Sequence, residues 1–161
     1  MSSAIFLDID GVLNWRNTPD RCDGYIGIED AKVKLLQQLV NATNADIILS
    51  STWRSDWNKK SEMRAHMGRY LDNKLARCGL RIKEATPWIG WSARAKEVKT
   101  WIEQNNPDRF IILDDEDFGW DIYNLHTHWV HTDYDDHGLT QTLVNEVLSN
   151  LYKFNYFGDK E

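Results

Sequence analysis

The sequence predicts an α/β fold, a doubly wound parallel sheet of about five strands with helices on both faces. Two observations carry that expectation. Short apolar runs alternate with segments of helical periodicity along the chain. The residues directly after several of those runs are small, polar or acidic, and open α/β sheets bind ligands at the carboxyl ends of their strands.

Residues 4–7, AIFL, form the first strand, followed by a loop over 14–27 and a helix over 30–42 in which Val33, Leu36 and Val40 recur at helical spacing. DIILS, 46–50, is a second buried run. After a polar loop comes a long amphipathic segment, with Met63, Met67, Leu71, Leu75 and Cys78 near every fourth position and Gly79 as its stop. LRIKEAT, 80–86, alternates as a strand does. Ser92 is the expected cap of a helix carrying Ala95, Val98 and Ile102, which ends before Asn106 and Pro107. FIIL, 110–113, is a fourth run and HTHWVHT, 126–132, a fifth. A helix over 140–151 follows, with Leu143, Val147 and Leu151 in line. The order of elements is that of a Rossmann-like sheet.

Composition bounds the rest. A chain of 161 residues with 42% hydrophobic residues, eight Trp, six Tyr and five Phe is expected to be one globular domain, 1–161, with an aromatic core. No basic segment precedes an apolar run and no run approaches bilayer length, so a cytoplasmic protein without a membrane partner is expected. Cys22 and Cys78 lie far apart and suit reduced thiols. Charge is uneven. Residues 54–99 hold twelve Lys or Arg against five Asp or Glu, a balance of +7, which leaves −13 to the rest of a chain whose net charge is −6. Such a stretch attracts a phosphate-bearing partner, or else is a solvated helix face.

Past the strand ends stand Asp8 and Asp10, then Ser50, Ser51 and Thr52, then Asp114 and Asp115. A DxD alone reads equally as loop carboxylates capping a helix, but here a second acidic pair follows a later strand. Four carboxylates at one edge repel one another unless a cation sits among them, and oxygen-only ligands point to Mg²⁺. Arg94, opening the helix before the fourth strand, supplies the positive charge that a transferring phosphoryl group needs.

At these residues the sequence resembles the haloacid dehalogenase (HAD) superfamily of aspartate-nucleophile phosphohydrolases. FLDIDGVLN is similar to its first motif, IILSS to its second, SARAKEV to its third and FIILDDE to its fourth, in order across residues 4–118. The closer likeness is to the small HAD domain of Swiss Army knife RNA repair proteins, through LDIDGVLN, SSTWR, RAKEV and the late TDYDDHGLT of residues 132–140. The resemblance implies a Mg²⁺-dependent phosphatase that works through an aspartyl-phosphate. In it Asp8 is the nucleophile and Asp10 the general acid and base. The metal is held by Asp8, Asp115 and the main-chain carbonyl of Asp10, with Asp114 acting through its waters or surroundings. Ser50 holds the phosphoryl oxygens, with Ser51 the alternative. Arg94 is preferred to Lys96 as the third-motif base, and Gly11 brings the main chain to the phosphate. An Asp at the second position favours phosphate esters over carbon–halogen bonds.

Many superfamily members insert a cap domain. Here about fifteen residues separate Leu13 from the first helix, and one helix separates the third and fourth motifs, so no sizeable cap is expected. By analogy an open site suits large substrates such as RNA or DNA ends in nucleic-acid repair. The competing readings are a 5′-nucleotidase or small-metabolite phosphatase, and a non-catalytic module that binds phosphoryl groups or a partner. Trp15, Trp53, Trp57, Trp88 and Trp91 lie near the motifs, where they either stack on bases or pack. Arg54 is the expected substrate contact, or else pairs with Asp56. His126 and His128 alternate on the expected fifth strand, but no familiar ligand set completes a zinc site around them.

Overall fold

In the computed structural model, residues 1–158 are described. The first apolar run forms β1 (Ser3–Leu7), buried at every position. A short antiparallel hairpin follows, β2 (Arg21–Cys22) and β3 (Tyr25–Ile26), then α1 (Asp30–Thr43), β4 (Asp46–Leu49), α2 (His66–Ala76) and β5 (Ile82–Ala85). The chain continues with α3 (Arg94–Asn105), β6 (Arg109–Asp114), β7 (Trp129–His131) and α4 (Gln141–Ser149). Five strands form one sheet in the order β5-β4-β1-β6-β7, every pair parallel. The chain therefore leaves β1 toward β4 and β5, then returns to its other side for β6 and β7. That reversal creates the crevice past the strand ends where open α/β sheets bind ligands.

Strand alternation sorts the side chains into two cores. Ile5, Leu7, Ile47, Leu49, Ile111 and Leu113 pack with Val33 and Leu36 of α1, Leu71 and Leu75 of α2 and Val144 of α4. Ala4, Phe6, Ile48, Phe110 and Ile112 face the other way, onto Val98, Trp101 and Ile102 of α3 and onto Trp120. The second core is aromatic as expected: Phe6 meets Trp101 edge to face at 5.3 Å, and Phe110 stacks on His128 at 3.8 Å. No cap domain is evident among the described residues, and no helix there is long and apolar enough to cross a membrane.

Several local expectations are corrected. The long segment from Met63 is not one helix. Met63 ends a 3-10 turn and is largely exposed, and α2 starts at His66, after Ala65 donates its N–H to Asp56 O at 2.8 Å. Gly68 packs so closely on that strand of chain that a Cβ would lie 2.2 Å from Asp56 O. Gly79 does close the helical segment, at φ +68°, with Leu80 N–H bonded to Leu75 O. Ser92 is not a cap: it has φ +58°, and Ala93 is the residue preceding α3. Only Trp129–His131 of the expected fifth strand is extended. His126–His128 is a 3-10 turn, drawn inward because His128 stacks on Phe110 and places Nδ1 3.0 Å from Phe110 O. The helix expected to reach residue 151 ends at Ser149, and Leu151 opens a separate 3-10 turn. Thr140 caps it as its residue type suggests, accepting from Leu143 N–H.

Part of the basic stretch is paired within the fold. Arg64 pairs with Asp72, Lys74 with Asp30, Arg77 with Asp30 and Lys83 with Asp46. Three of these four pairs draw on acids from outside the stretch, and they interrupt part of what the sequence suggests as a phosphate-attracting track.

Candidate active site

The three central strands end level, with Leu7 in register with Leu49 and Leu113. Main-chain bonds carry the ladder one residue further, from Asp8 N–H to Leu113 O and from Ser50 N–H to Leu7 O, each 3.0 Å. Asp8, Ser50 and Asp114 therefore emerge at one edge of the sheet. Carboxylate oxygens of Asp8, Asp114 and Asp115 all lie within 4.8 Å of one another.

Crowding and burial disfavour three negative charges there. Burial pushes the Asp8 carboxyl up, opposed by the Arg94 guanidinium, and burial together with Asp8 pushes Asp114 well up. Asp115 is pushed up to about 7, first by burial, then by the charge of Asp8 and a hydrogen bond to it. Arg94, 9% exposed, is the cation among them: Nη1 lies 3.3 Å from Asp8 and 2.8 Å from Asp114, with Phe118 beneath its guanidinium at 4.3 Å. Lys96 is exposed on the same helix, so Arg94 is the third-motif residue brought to the acids. Three clustered hard carboxylates, of which only Asp8 and Asp114 meet the Arg94 guanidinium, fit a divalent ion of the Mg²⁺ class.

These shifts make the metal-free protein sensitive to pH with a definite sign. Between the ordinary value of 3.8 and about 7, folded Asp115 keeps a proton that the unfolded chain releases, so stability falls as pH rises through that window. The melting temperature in chelator is expected to fall from about pH 5 to about pH 7.5, and Mg²⁺ to raise it more at the higher pH. Asp115→Asn is expected to flatten the profile. A metal-free melting temperature that climbs over the same interval would contradict this account of the acids.

Asp10 is exposed and stands outside the three-carboxylate group. Both its oxygens are held, one by Asn14 Nδ2 at 2.8 Å and the other by Trp53 Nε1 at 3.0 Å. Asn14 is fully buried, donates also to Gly27 O and accepts from Gly11 N–H. Neither holder was anticipated as a site residue. The four-residue interval from Asp10 to Asn14 is a weak sequence signal for the first, whereas Trp53 reaches Asp10 only through the fold.

Of the two serines, Ser51 accepts from Trp53 N–H with its hydroxyl at 3.2 Å and weakly favours the charged form of Asp8, while the Ser50 hydroxyl is buried without a partner. Arg54 makes no pair with Asp56. It is held in the cavity wall by Glu97 at 2.6 Å, by Thr86 Oγ1 at 2.6 Å and by Ser50 O. Gly11, at φ +81°, is where the main chain passes beneath Asp115: a Cβ would lie 2.3 Å from Asp115 Oδ2. Gly11→Ala should therefore displace Asp115 and add about 1–3 kcal/mol of backbone strain, read as a lower melting temperature and weaker Mg²⁺ binding.

The late TDYDDHGLT element backs this loop. Gly138 packs where a Cβ would be 2.6 Å from Asn14 O, Leu139 N–H bonds Val12 O at 3.0 Å, and buried Lys32 donates to His137 O and Leu139 O. His131 Nε2 lies 3.0 Å from Asp115 O, at the edge of the site. Among the tryptophans, Trp53 and Trp57 are buried, Trp15 stacks on His137, and Trp88 and Trp91 are exposed. Above the acids opens a cavity of about 630 Å³ that reaches from Asp8, Asp10 and Arg94 to Trp88, Trp91 and the β2–β3 hairpin.

A family model described as the HAD domain in Swiss Army Knife RNA repair proteins matches residues 4–144. Comparison with curated proteins and with solved structures gives no match.

Proposed function

Because the chain belongs to the family of HAD domains in Swiss Army Knife RNA repair proteins, we propose that it is a Mg²⁺-dependent phosphoric monoester hydrolase acting on phosphorylated polynucleotide ends. The observation that carries this reading is the setting of Asp8: a buried carboxylate between Arg94 and Asp115, opening onto a cavity that Asp10 also borders.

An Asp8 oxygen attacks phosphorus in line, and the ester bond to the leaving oxygen breaks. Asp10, held by Asn14 and Trp53, gives its proton to that leaving alkoxide. It then takes a proton from the water that attacks phosphorus, so that the bond to Asp8 breaks and inorganic phosphate leaves. Arg94, beside Asp8, can meet the equatorial phosphoryl oxygens together with the hydroxyl of Ser50 or Ser51 at the neighbouring strand end. Asp114 holds the Arg94 fork and sits beside the metal position. Asp8, Asp115 and the main-chain carbonyl of Asp10 would hold Mg²⁺, which when bound supplies charge neutralisation between carboxylate and phosphoryl oxygens. Arg54 acts by shaping the wall, since its guanidinium is engaged by Glu97 and Thr86.

The test offers 3′-phosphorylated and 5′-phosphorylated oligonucleotides beside mononucleotides, with and without Mg²⁺. Metal-dependent turnover with a higher kcat/KM for one oligonucleotide end is expected. Equal or better turnover of mononucleotides would move the assignment to a nucleotidase. Because both cations that line the cavity, Arg54 and Arg94, are paired with carboxylates, the salt dependence should be shallow, under about tenfold between 50 and 200 mM. A loss of about 10³-fold or more over that range, typical of six to ten phosphate contacts, would contradict end-only recognition.

A further inference from the structure

The proposed chemistry occupies the floor of the cavity and makes no use of its aromatic wall. Trp88 and Trp91, between β5 and α3, are 55% and 88% exposed, and Ile89 between them is 42% exposed. Both tryptophans border the same cavity as Asp8. A contiguous apolar patch of this kind beside a polar site marks a surface that a ligand covers.

The wall is organised in advance. The two indoles meet edge to face, centroids 5.4 Å apart and planes at 90°. The Arg54 guanidinium lies 5.2 Å from the Trp88 ring. Fully buried Glu97 holds that guanidinium with one oxygen and the Ile89 N–H, at 2.8 Å, with the other. One carboxylate thus pins both the cation beside the ring and the loop that carries the ring. Tyr25, 66% exposed on β3, also borders the cavity. At about 630 Å³ the space falls within the range of small-molecule sites, about 300–1,000 Å³, and far exceeds what a phosphoryl group needs.

We propose that the Trp88–Trp91 wall is the seat for the nucleobase of the terminal nucleotide whose phosphate lies at Asp8, an inference that rests on the phosphatase reading above. The lining cation beside this wall is Arg54, already paired with Glu97, whereas Arg94 lies at the floor with Asp8. The wall therefore offers nothing to a run of backbone phosphates or to an acidic peptide, and a flat neutral ring is what it can take. Stacking on indole tolerates any base, because every base has a π-face.

The experiment has two arms. In the first, kcat/KM is compared for a phosphorylated oligonucleotide and for one whose phosphate-bearing end lacks its base, in the unaltered protein and in Trp88→Ala/Trp91→Ala. The base-bearing over base-lacking ratio is expected to fall roughly 5- to 150-fold in the variant, the span of one base–aromatic stack, carried by KM, and to return largely with Trp→Phe at both positions. A ratio that stays the same would overturn the seat. The second arm measures equilibrium binding of the same two oligonucleotides to Asp8→Asn protein by tryptophan fluorescence, and so reports whether or not any ester is hydrolysed. Base-dependent affinity lost with the two tryptophans upholds the seat even if the phosphatase reading falls. Affinity indifferent to the base, or tighter binding of a phosphopeptide than of the oligonucleotide, overturns it even if hydrolysis is found.

Discussion

Asp8→Asn is expected to lower kcat by about 10³-fold or more on any phosphate ester the protein hydrolyses, because it removes the carboxylate proposed as nucleophile while keeping its shape. The fold is expected to survive. Asp8 is buried at the end of a strand whose ladder bonds use its main chain, and its carboxyl is already pushed up by burial and by Asp10. An amide at that position relieves repulsion on Asp114 and Asp115, so the melting temperature of metal-free Asp8→Asn should equal or exceed that of the unaltered protein. Activity and stability thus move in opposite directions, which a general loss of structure cannot produce. Metal-dependent turnover that persists unchanged in Asp8→Asn would remove the nucleophile assignment.

Arg94→Met should have the opposite signature, losing both. The guanidinium neutralises Asp8 and Asp114 at 3.3 and 2.8 Å, with Asp114 fully buried. Removing it leaves buried carboxylates without a partner, a change that costs about 3–5 kcal/mol. For a chain of this size each kcal/mol is about 2–4 °C of melting temperature, so a drop of roughly 6–20 °C is expected without metal. Mg²⁺ should restore more stability to the variant than to the unaltered protein, since it brings positive charge to the same acids. Turnover should fall by about 10²-fold or more. Arg94→Lys keeps the charge and should retain part of both, because an ammonium lacks the planar guanidinium that lies on Phe118 and sets Nη1 between Asp8 and Asp114. Full stability in metal-free Arg94→Met would show that the cation does not balance these acids.

The parts of the site legible in the sequence are those that depend on single strands. Asp8, Asp114 and Asp115 could be found because each follows an apolar run, and parallel strands in register deliver such residues to one edge whatever the rest of the chain does. Gly11 was legible for a similar reason, although the contact it avoids, with Asp115, was not. The choice between Ser50 and Ser51 was not open to sequence reasoning, since a one-residue step at a strand end turns a side chain to the opposite face. Contacts that join distant segments were equally hidden. Trp53 reads as packing or stacking, yet its N–H orients Asp10 across 43 positions, and Arg54 reads as a substrate contact or a partner of Asp56, yet it is closed by Glu97 across the same interval. The basic stretch misleads for this reason too: its neutralising acids, such as Asp30 and Asp46, lie in other elements of the fold. Periodicity places Met63 and His126 in regular elements, which the close packing of Gly68 on Asp56 and of His128 on Phe110 cuts short in the folded chain.

On the proposed reading, phosphate passes through Asp8. The stereochemical course at phosphorus tests it most directly, with a substrate whose phosphoryl group is made chiral by oxygen isotopes and sulfur. Two in-line displacements, first by Asp8 and then by water, predict overall retention of configuration. Inversion would mean that water attacks the ester directly, and would contradict the account.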